Sequence, residues 1–156
     1  MKPLFPALAL LLSALPALSA EKPNGDRPNV IYIMADDLGW AELGSYGQEK
    51  IKTPNLDRLA AECIRFTQHY TSAPVCGPAR YSLMTGKHGG HSVVRNNYEI
   101  GEWDTHRGQY PLPDEEITIA EILKAEGYAT GAFGKWGIGE PGSEGDPLNQ
   151  GFDRFF

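Results

Sequence analysis

A chain of 156 residues is long enough for one ordinary domain with a single hydrophobic core. Its hydrophobic fraction of 41% and charged fraction of 22% are those of a globular protein. The formal net charge is −6, and the sequence contains no run of Lys and Arg residues. Both observations argue against non-specific nucleic-acid binding. We therefore expect no nucleic-acid partner.

The N-terminus has the pattern of a secretory signal peptide. Lys2 supplies a positive charge, residues 4–16 form an apolar stretch of mostly Leu and Ala, and residues 17–20 offer small residues for cleavage. We predict a signal peptide over residues 1–20 and a polar leader over residues 21–27. The mature chain is then exported to a periplasm, the exterior or a lysosome-type lumen, with no membrane attachment. An uncleaved anchor is the alternative, but the apolar stretch is short for a membrane span.

Three segments are predicted to be strands. Residues 30–35 form a continuous apolar run, which is typical of a strand buried on both faces of a parallel sheet. Residues 64–71 alternate in polarity, and residues 128–133 resemble a second buried strand. Together with three predicted helices, the order strand, helix, strand, helix, helix, strand indicates an α/β fold.

The helices are predicted from their end signals. Thr53 is expected to cap the first, with Pro54 at its first position and Cys63 buried on its apolar face. Pro78 and Gly86 suit the start and the stop of the second, which places Cys76 at its N-terminus. A capping box at residues 118–121 begins the third, and residue 127 ends it. The chain's only two cysteines leave one disulfide possible in an exported protein.

Five polar residues are predicted to meet at one edge of the sheet. Asp36 and Asp37 end the first strand, Lys135 follows the last, and Cys76 starts a helix that also carries Arg80. In open α/β sheets ligands bind beyond the carboxyl ends of the strands. Paired aspartates suit a hard divalent cation, and a helix N-terminus with two nearby cations suits an anion. Such a set around one nucleophile suits transfer of a tetrahedral oxyanion.

Each of these residues also has a simpler interpretation. The aspartate pair is compatible with a turn, since Asp is common there. Cys76 is compatible with an inert loop thiol or an unmodified nucleophile. Arg80 is compatible with a solvated helix position, and Lys135 with a surface cation resting on Trp136.

The chain resembles the sulfatase family. Residues 76–80, Cys-Gly-Pro-Ala-Arg, match its C-x-P-x-R motif. Further segments agree in order and spacing: residues 29–39, 53–60, 83–86, 134–136 and 151–153. The resemblance implies an alkaline-phosphatase-like α/β fold with a mixed, largely parallel sheet flanked by helices. It also identifies residues 28–156 as the N-terminal part of a truncated catalytic domain, which is expected to be inactive alone.

The resemblance implies a reaction as well. In this family a dedicated maturation enzyme oxidises the motif cysteine, here Cys76, to formylglycine. One hydroxyl of its hydrate attacks the sulfur of an organic sulfate ester and the alcohol leaves; the second hydroxyl then loses its proton and expels sulfate, which restores the aldehyde. Asp36, Asp37 and residue 76 would hold a divalent metal, with calcium the metal that the family suggests. Arg80 would hold the hydrate, and Lys135 the sulfate.

One position departs from the family pattern. The family motif often reads Lys-Trp-His, whereas Gly137 stands here in the place of that histidine. Its contact with nucleophile and substrate is then either unfilled or passes to another residue, for which His88 and His91 are the candidates; these two alone are too few for structural zinc. Two rival functions remain open: a phosphomonoester or phosphonate-ester hydrolase of the same superfamily, and a non-catalytic domain that binds sulfated glycans.

Overall fold

The structure, a computed structural model, describes residues 27–97, 99–100 and 108–156. The predicted signal peptide and nearly all of the polar leader lie outside these residues. The chain divides into two compact units, Met1–Ile33 and Met34–Phe156. Within the described residues no helix is long and apolar enough to cross a bilayer.

The described part of the second unit is built from short helices and two-residue strands. The 3-10 helices are Gly44–Tyr46 and Gly89–His91; the α-helices are α1 (Pro54–Glu62), α2 (Cys76–Thr85) and α3 (Ile119–Ala125); the strands are β1 (Glu99–Ile100), β2 (Gly108–Gln109), β3 (Gly131–Ala132) and β4 (Arg154–Phe155). Strands β1 and β2 pair antiparallel, with residue 99 opposite residue 109. Strands β3 and β4 pair parallel, with residue 131 opposite residue 154.

Helix α2 forms as its end signals predict. Pro78 lies in its first turn, where a missing N–H costs nothing. The helix ends at Gly86, whose φ of 68° lies in the left-handed region that glycine adopts without strain. Tyr81, in the middle of the helix, is fully buried. This burial fixes the rotation of the helix and thereby the direction in which Cys76 points.

Helix α3 begins with the predicted capping box. The Thr118 hydroxyl accepts from the Glu121 N–H, and the Glu121 carboxylate accepts from the Thr118 N–H. The same hydroxyl donates to the Gln150 carbonyl at 2.8 Å. Two orphan helix donors are thus satisfied while the helix start is tied to the turn before β4.

The core of this unit lies beside α2. Its buried members are Tyr81, Val94, Leu112, Trp136 and Ile138. The indole N–H of Trp136 donates to the Gly145 carbonyl at 2.7 Å, so the buried ring leaves no unpaired donor. Because Trp136 and Ile138 flank residue 137, packing of this core fixes the backbone that carries Lys135.

The strand predictions are correct only in part. Residues 30–35 and 64–71 form no strand, and Ile31 and Ile64 remain 84% and 83% exposed. A strand needs a partner for its backbone groups, and none of the described strands pairs with either segment. Of residues 128–133 only β3 is a strand, since its partner β4 is two residues long.

Two predictions about α1 are wrong. The Thr53 hydroxyl does not cap the helix, because it accepts from the Gly44 N–H and donates to the Asp57 carboxylate instead. Cys63 follows the last helical residue and is exposed rather than buried, because the described part of the chain packs no core against that face. Both cysteines are free thiols.

A buried polar network ties α2 to the segment before α3. The fully buried Tyr81 hydroxyl donates to Glu116 at 2.6 Å, and the Lys87 ammonium donates to the same oxygen at 2.6 Å. Burial and the adjacent Glu116 raise the pKa of Tyr81 to about 12. Burial alone raises the pKa of Glu116, but the hydrogen bonds from Lys87 and Tyr81 outweigh it, and that pKa lies below its ordinary value.

We expect Tyr81→Phe to lower the free energy of unfolding of the whole protein by about 1–2 kcal/mol at neutral pH, because a hydrogen bond to a charged group is lost. Glu116 has a lowered pKa in the folded state, so its contribution is present above its ordinary pKa of 4.5 and is lost as pH falls through the folded value. The difference between the two proteins should therefore shrink below that pH.

Urea unfolding followed by tryptophan fluorescence measures both effects. Tyr70→Phe is the matched control, because that tyrosine is 75% exposed and its change should stay within about 0.5 kcal/mol. Equal stability of Tyr81→Phe and the unaltered protein at neutral pH would show that the hydrogen bond from the Tyr81 hydroxyl adds nothing to the stability of the fold.

Candidate active site

Cys76 lies at the first position of helix α2. The preceding residue, Val75, is extended and provides no side-chain cap, so the first N–H groups of the helix need other partners. One of them, the Gly77 N–H, donates to the Asn97 side-chain oxygen at 2.8 Å. The Cys76 sulfur is partly exposed at this end of the helix, where the helix dipole favours negative charge.

Two cations and one carboxylate surround the thiol end of the helix. The Lys135 ammonium lies 3.4 Å from the Cys76 sulfur and 3.0 Å from Asp36 Oδ2. Arg80 Nη2 lies 3.2 Å from Asp36 Oδ1, and its Nη1 donates to the Lys135 carbonyl. Four of the five polar residues that the sequence predicts to meet therefore do meet. We call Asp36, Cys76, Arg80 and Lys135 the polar cluster.

Charges in the polar cluster stabilise one another. Hydrogen bonds from Lys135, and then from Arg80, hold the pKa of Asp36 below its usual value. The same contacts, first with Asp36 and then with Cys76, raise the pKa of Lys135. Burial raises the pKa of the Cys76 thiol, but hydrogen bonds with Lys135 and Asn97 outweigh it, and the net shift is downward. The site thus favours an anion at residue 76.

Arg80 is the least exposed ion of the cluster, with its side chain 13% exposed against 47% for Lys135. Its guanidinium reaches Asp36 and the Lys135 carbonyl, and among the described residues it makes no hydrogen bond with Cys76. It therefore joins three chain segments, and its buried Nε has no partner. Its predicted contact with a hydrated residue 76 stays a prediction.

The aspartate pair fits part of a metal site. Asp36 and Asp37 supply the hard carboxylate oxygens that calcium prefers, and Asp37 has a φ of 59°, which makes the turn after residue 36 sharp. Calcium takes six to eight oxygens. The described residues contain no group of three or more His, Cys, Asp or Glu side chains suited to a metal. Metal binding by this pair together with residue 76 stays a prediction.

Two histidines, His88 and His91, are proposed to replace the one absent at residue 137. His88 Nδ1 accepts from the Gly90 N–H at 3.1 Å and so caps its own 3-10 turn. In the described part of the chain neither His88 nor His91 makes a hydrogen bond with a member of the polar cluster. Their contact with the nucleophile or a substrate remains only a prediction.

Gln109 occupies the space beside residue 137. Gly137 has a φ of 79°, and a Cβ atom added there would lie 3.0 Å from Gln109 Oε1 and 3.4 Å from Arg80 Cδ. Gln109 Oε1 is buried without a hydrogen-bond partner. Glycine is thus favoured at this position by its backbone conformation, and a side chain there would also have to displace the Gln109 amide slightly.

Asn97 and Gln109 are the residues near the cluster that the sequence does not predict. Asn97 Oδ1 lies 3.5 Å from the Cys76 sulfur, and Gln109 lies beside Gly137, as the Arg80 side chain does. Both follow helix α2 in a long segment of irregular sequence. Its length is the only signal that could have indicated a functional role.

Comparison with known proteins identifies the family. A sulfatase family model matches residues 28–156, which includes every member of the polar cluster. The chain belongs to the sulfatase family. Among its sulfatase relatives, arylsulfatase D of Homo sapiens is 43% identical over 97% of this chain and 26% of its own length. The steryl-sulfatase of Rattus norvegicus is 42% identical over 95% of this chain and 26% of its own length. Arylsulfatase A of Homo sapiens is 44% identical over 94% of this chain and 27% of its own length.

Solved structures agree with this assignment. The crystal structure of Ps i-CgsB matches 83% of the chain and 28% of its own, with a TM-score of 0.74 and 35% identity. The crystal structure of Ps i-CgsB in complex with k-i-k-neocarrahexaose matches 77% of this chain and 25% of its own chain, with a TM-score of 0.67 and 33% identity. The chain thus has the α/β sulfatase fold and spans about a quarter of the length of these sulfatases.

Proposed function

We propose that the whole protein hydrolyses an organic sulfate ester, with a formylglycine made from Cys76 as nucleophile and a divalent metal ion. The observation that carries this proposal is the polar cluster, in which Lys135 and Asp36 meet the motif cysteine at a helix N-terminus. Family membership supplies the reaction class. When formylglycine is present, its hydrate would supply one hydroxyl that attacks sulfur as the S–O bond to the alcohol breaks, and a second that loses its proton and expels sulfate, which restores the aldehyde.

The cluster residues have distinct roles in this proposal. Lys135 lies close enough to residue 76 to bind a sulfate oxygen during attack and to stabilise the charge that develops there. Arg80, held between Asp36 and the Lys135 backbone, fixes the relative positions of the two. Asp36 and Asp37 would hold the metal, calcium in our proposal, which neutralises charge on the sulfate oxygens.

A fixed charge arrangement explains why the site suits an anion of this type. The cluster has one carboxylate and two cationic side chains at the positive end of a helix dipole. These charges would stabilise any tetrahedral oxyanion, sulfate or phosphate. The relatives' names, arylsulfatase and steryl-sulfatase, favour the sulfate ester over the phosphate or phosphonate ester.

Maturation and export form part of the proposal. The C-x-P-x-R sequence at residues 76–80 is the family's modification motif and would be recognised by a formylglycine-generating enzyme. The signal pattern of residues 1–20 would direct the chain out of the cytoplasm. The maturation enzyme is thus the protein partner we propose.

We expect residue 76 of the whole protein, produced in a host with the maturation machinery, to be ~18 Da lighter than cysteine, because a carbonyl replaces the thiol. Peptide mass spectrometry measures the fraction converted. A peptide carrying Cys63 is the internal control, because that exposed cysteine lacks the motif and should keep its thiol mass. An intact thiol at residue 76 in an active enzyme would refute the formylglycine proposal.

Turnover tests the reaction class. We expect the whole protein to cleave an aryl sulfate faster than the matching aryl phosphate, with activity lost in Cys76→Ala. Faster cleavage of the phosphate would assign the protein to the rival hydrolase class. A non-catalytic glycan-binding domain would show no turnover and no aldehyde.

A further inference from the structure

The structure assigns a positioning role in the proposed reaction to Asn97, which lies outside the C-x-P-x-R motif. Its side-chain oxygen contacts two neighbouring groups at the start of α2: the Gly77 N–H at 2.8 Å and the Cys76 sulfur at 3.5 Å. We infer that Asn97 orients the nucleophilic hydroxyl of residue 76 by accepting its hydrogen. This inference rests on the proposed function.

The first contact fixes the amide. The Gly77 N–H is one of the helix donors that have no partner within α2, and Asn97 Oδ1 satisfies it at a short distance. An amide oxygen has two lone pairs. One is used by Gly77, so the oxygen is held at a fixed place at the helix end, with the other available to residue 76.

In the second contact, Asn97 Oδ1 is a hydrogen-bond acceptor for the nucleophile at residue 76. The sulfur of Cys76 marks the place of a hydroxyl oxygen on the Cβ atom of the hydrated aldehyde. That place lies between a donor, the Lys135 ammonium at 3.4 Å, and an acceptor, Asn97 Oδ1 at 3.5 Å. A hydroxyl there accepts from Lys135 and donates to Asn97. One lone pair of the hydroxyl oxygen is then engaged by Lys135, and the other is left for attack on sulfur.

The amide does not act as the base. A neutral carboxamide does not take up a proton at ordinary pH, so the role of Asn97 ends at orientation, and the proton leaves by another group. A positioning residue of this kind should affect the turnover number more than the Michaelis constant, because a slightly misplaced nucleophile slows attack while substrate still binds.

Gly77 gives an independent way to disturb the same contact. A Cβ atom on residue 77 would lie 2.8 Å from Asn97 Oδ1, so an alanine there displaces the amide. Alanine favours a helix more than glycine does, so this change should not unfold α2. Asn97→Ala removes the amide itself, and Gly77→Ala displaces it. Both variants therefore remove the same contact between Asn97 and residue 76.

The experiment uses the whole protein and an aryl sulfate, with kcat divided by the fraction of aldehyde at residue 76, so that poor maturation is not read as poor catalysis. We expect Asn97→Ala to lower this normalised kcat by at least ~10-fold with KM changed less than ~3-fold. Asn97→Asp, which keeps an acceptor, should recover part of the loss. The exposed Asn55→Ala on α1 is the matched control and should change neither constant.

The double variant decides between orientation and independent damage. Gly77→Ala should lower normalised kcat by a factor similar to that of Asn97→Ala, and the double variant should be no slower than Asn97→Ala alone. Multiplied losses, or a normalised kcat of Asn97→Ala within ~3-fold of the unaltered protein, would overturn the inference while leaving the proposed function standing. An unaltered protein with an intact thiol and no turnover would overturn both.

Discussion

Asp36→Ala in the whole protein is expected to lower kcat/KM by ~10³-fold or more and to weaken calcium binding. The Asp36 carboxylate is predicted to bind the metal, and it lies 3.0 Å from the Lys135 ammonium and 3.2 Å from Arg80. Its removal leaves two cations without their shared partner and removes one of two predicted carboxylate ligands. Electrostatic stabilisation of the reacting charge is commonly the largest contribution to such rates.

Steady-state kinetics and metal analysis of purified protein give the two readouts. Asp36→Asn keeps the shape of the side chain but removes its negative charge. It should therefore retain an oxygen for the metal while losing the electrostatic attraction to Lys135. The matched control is Asp114→Ala, an exposed aspartate remote from these contacts, which should leave both values unchanged. Full activity with full calcium content in Asp36→Ala would reduce Asp36 to a turn residue.

Lys135→Ala should lower kcat/KM at least ~100-fold, which corresponds to ~3 kcal/mol of lost transition-state stabilisation. The reason is its position: its ammonium contacts both Asp36 and the atom that becomes the nucleophile. A surface lysine would cost under about 1 kcal/mol on removal. The structure therefore favours the larger effect.

Lys135→Arg should recover only part of the activity, because a planar guanidinium does not replace a compact point charge. Lys50→Ala, at an exposed lysine, serves as the control for loss of one positive charge. Circular dichroism should show an unchanged fold in all three variants. Kinetics of Lys135→Ala close to those of the unaltered protein would exclude a role in binding sulfate.

Local sequence signals predicted the helices well. The stop at Gly86 and the capping box between Thr118 and Glu121 depend on residues at most four apart, and both appear as expected. Pro54 at the first position of α1 is of the same kind. Such contacts form within one turn of chain, so sequence spacing alone determines them.

The strands and several contacts depend on distant partners and were not predicted. Residues 30–35 have the composition of a buried strand, yet a strand exists only where a neighbour pairs with it. The Thr53 hydroxyl accepts a hydrogen bond from the Gly44 N–H, which lies in an earlier turn. The capping pattern around Thr53 does not predict this contact. Asn97 and Gln109 reach the polar cluster through tertiary packing. The cluster was predicted from the rule that strand ends and helix starts in α/β folds converge on one edge, and its contacts form although residues 30–35 make no strand.

The contact between Asp36 and Lys135 joins residues that are 99 positions apart. Closing so long a loop costs conformational entropy that a solvent-exposed ion pair does not repay. Most hydrogen bonds of helix α2 are local, whereas this pair depends on the packing of Trp136 and Ile138 beside Lys135, so we expect the pair to form later than the helix. In this order of assembly, the helix that carries Cys76 and Arg80 forms before Asp36 and Lys135 meet. A destabilising substitution in that core would therefore separate Lys135 and Asp36 from residue 76, while Arg80 stays on the same helix as Cys76.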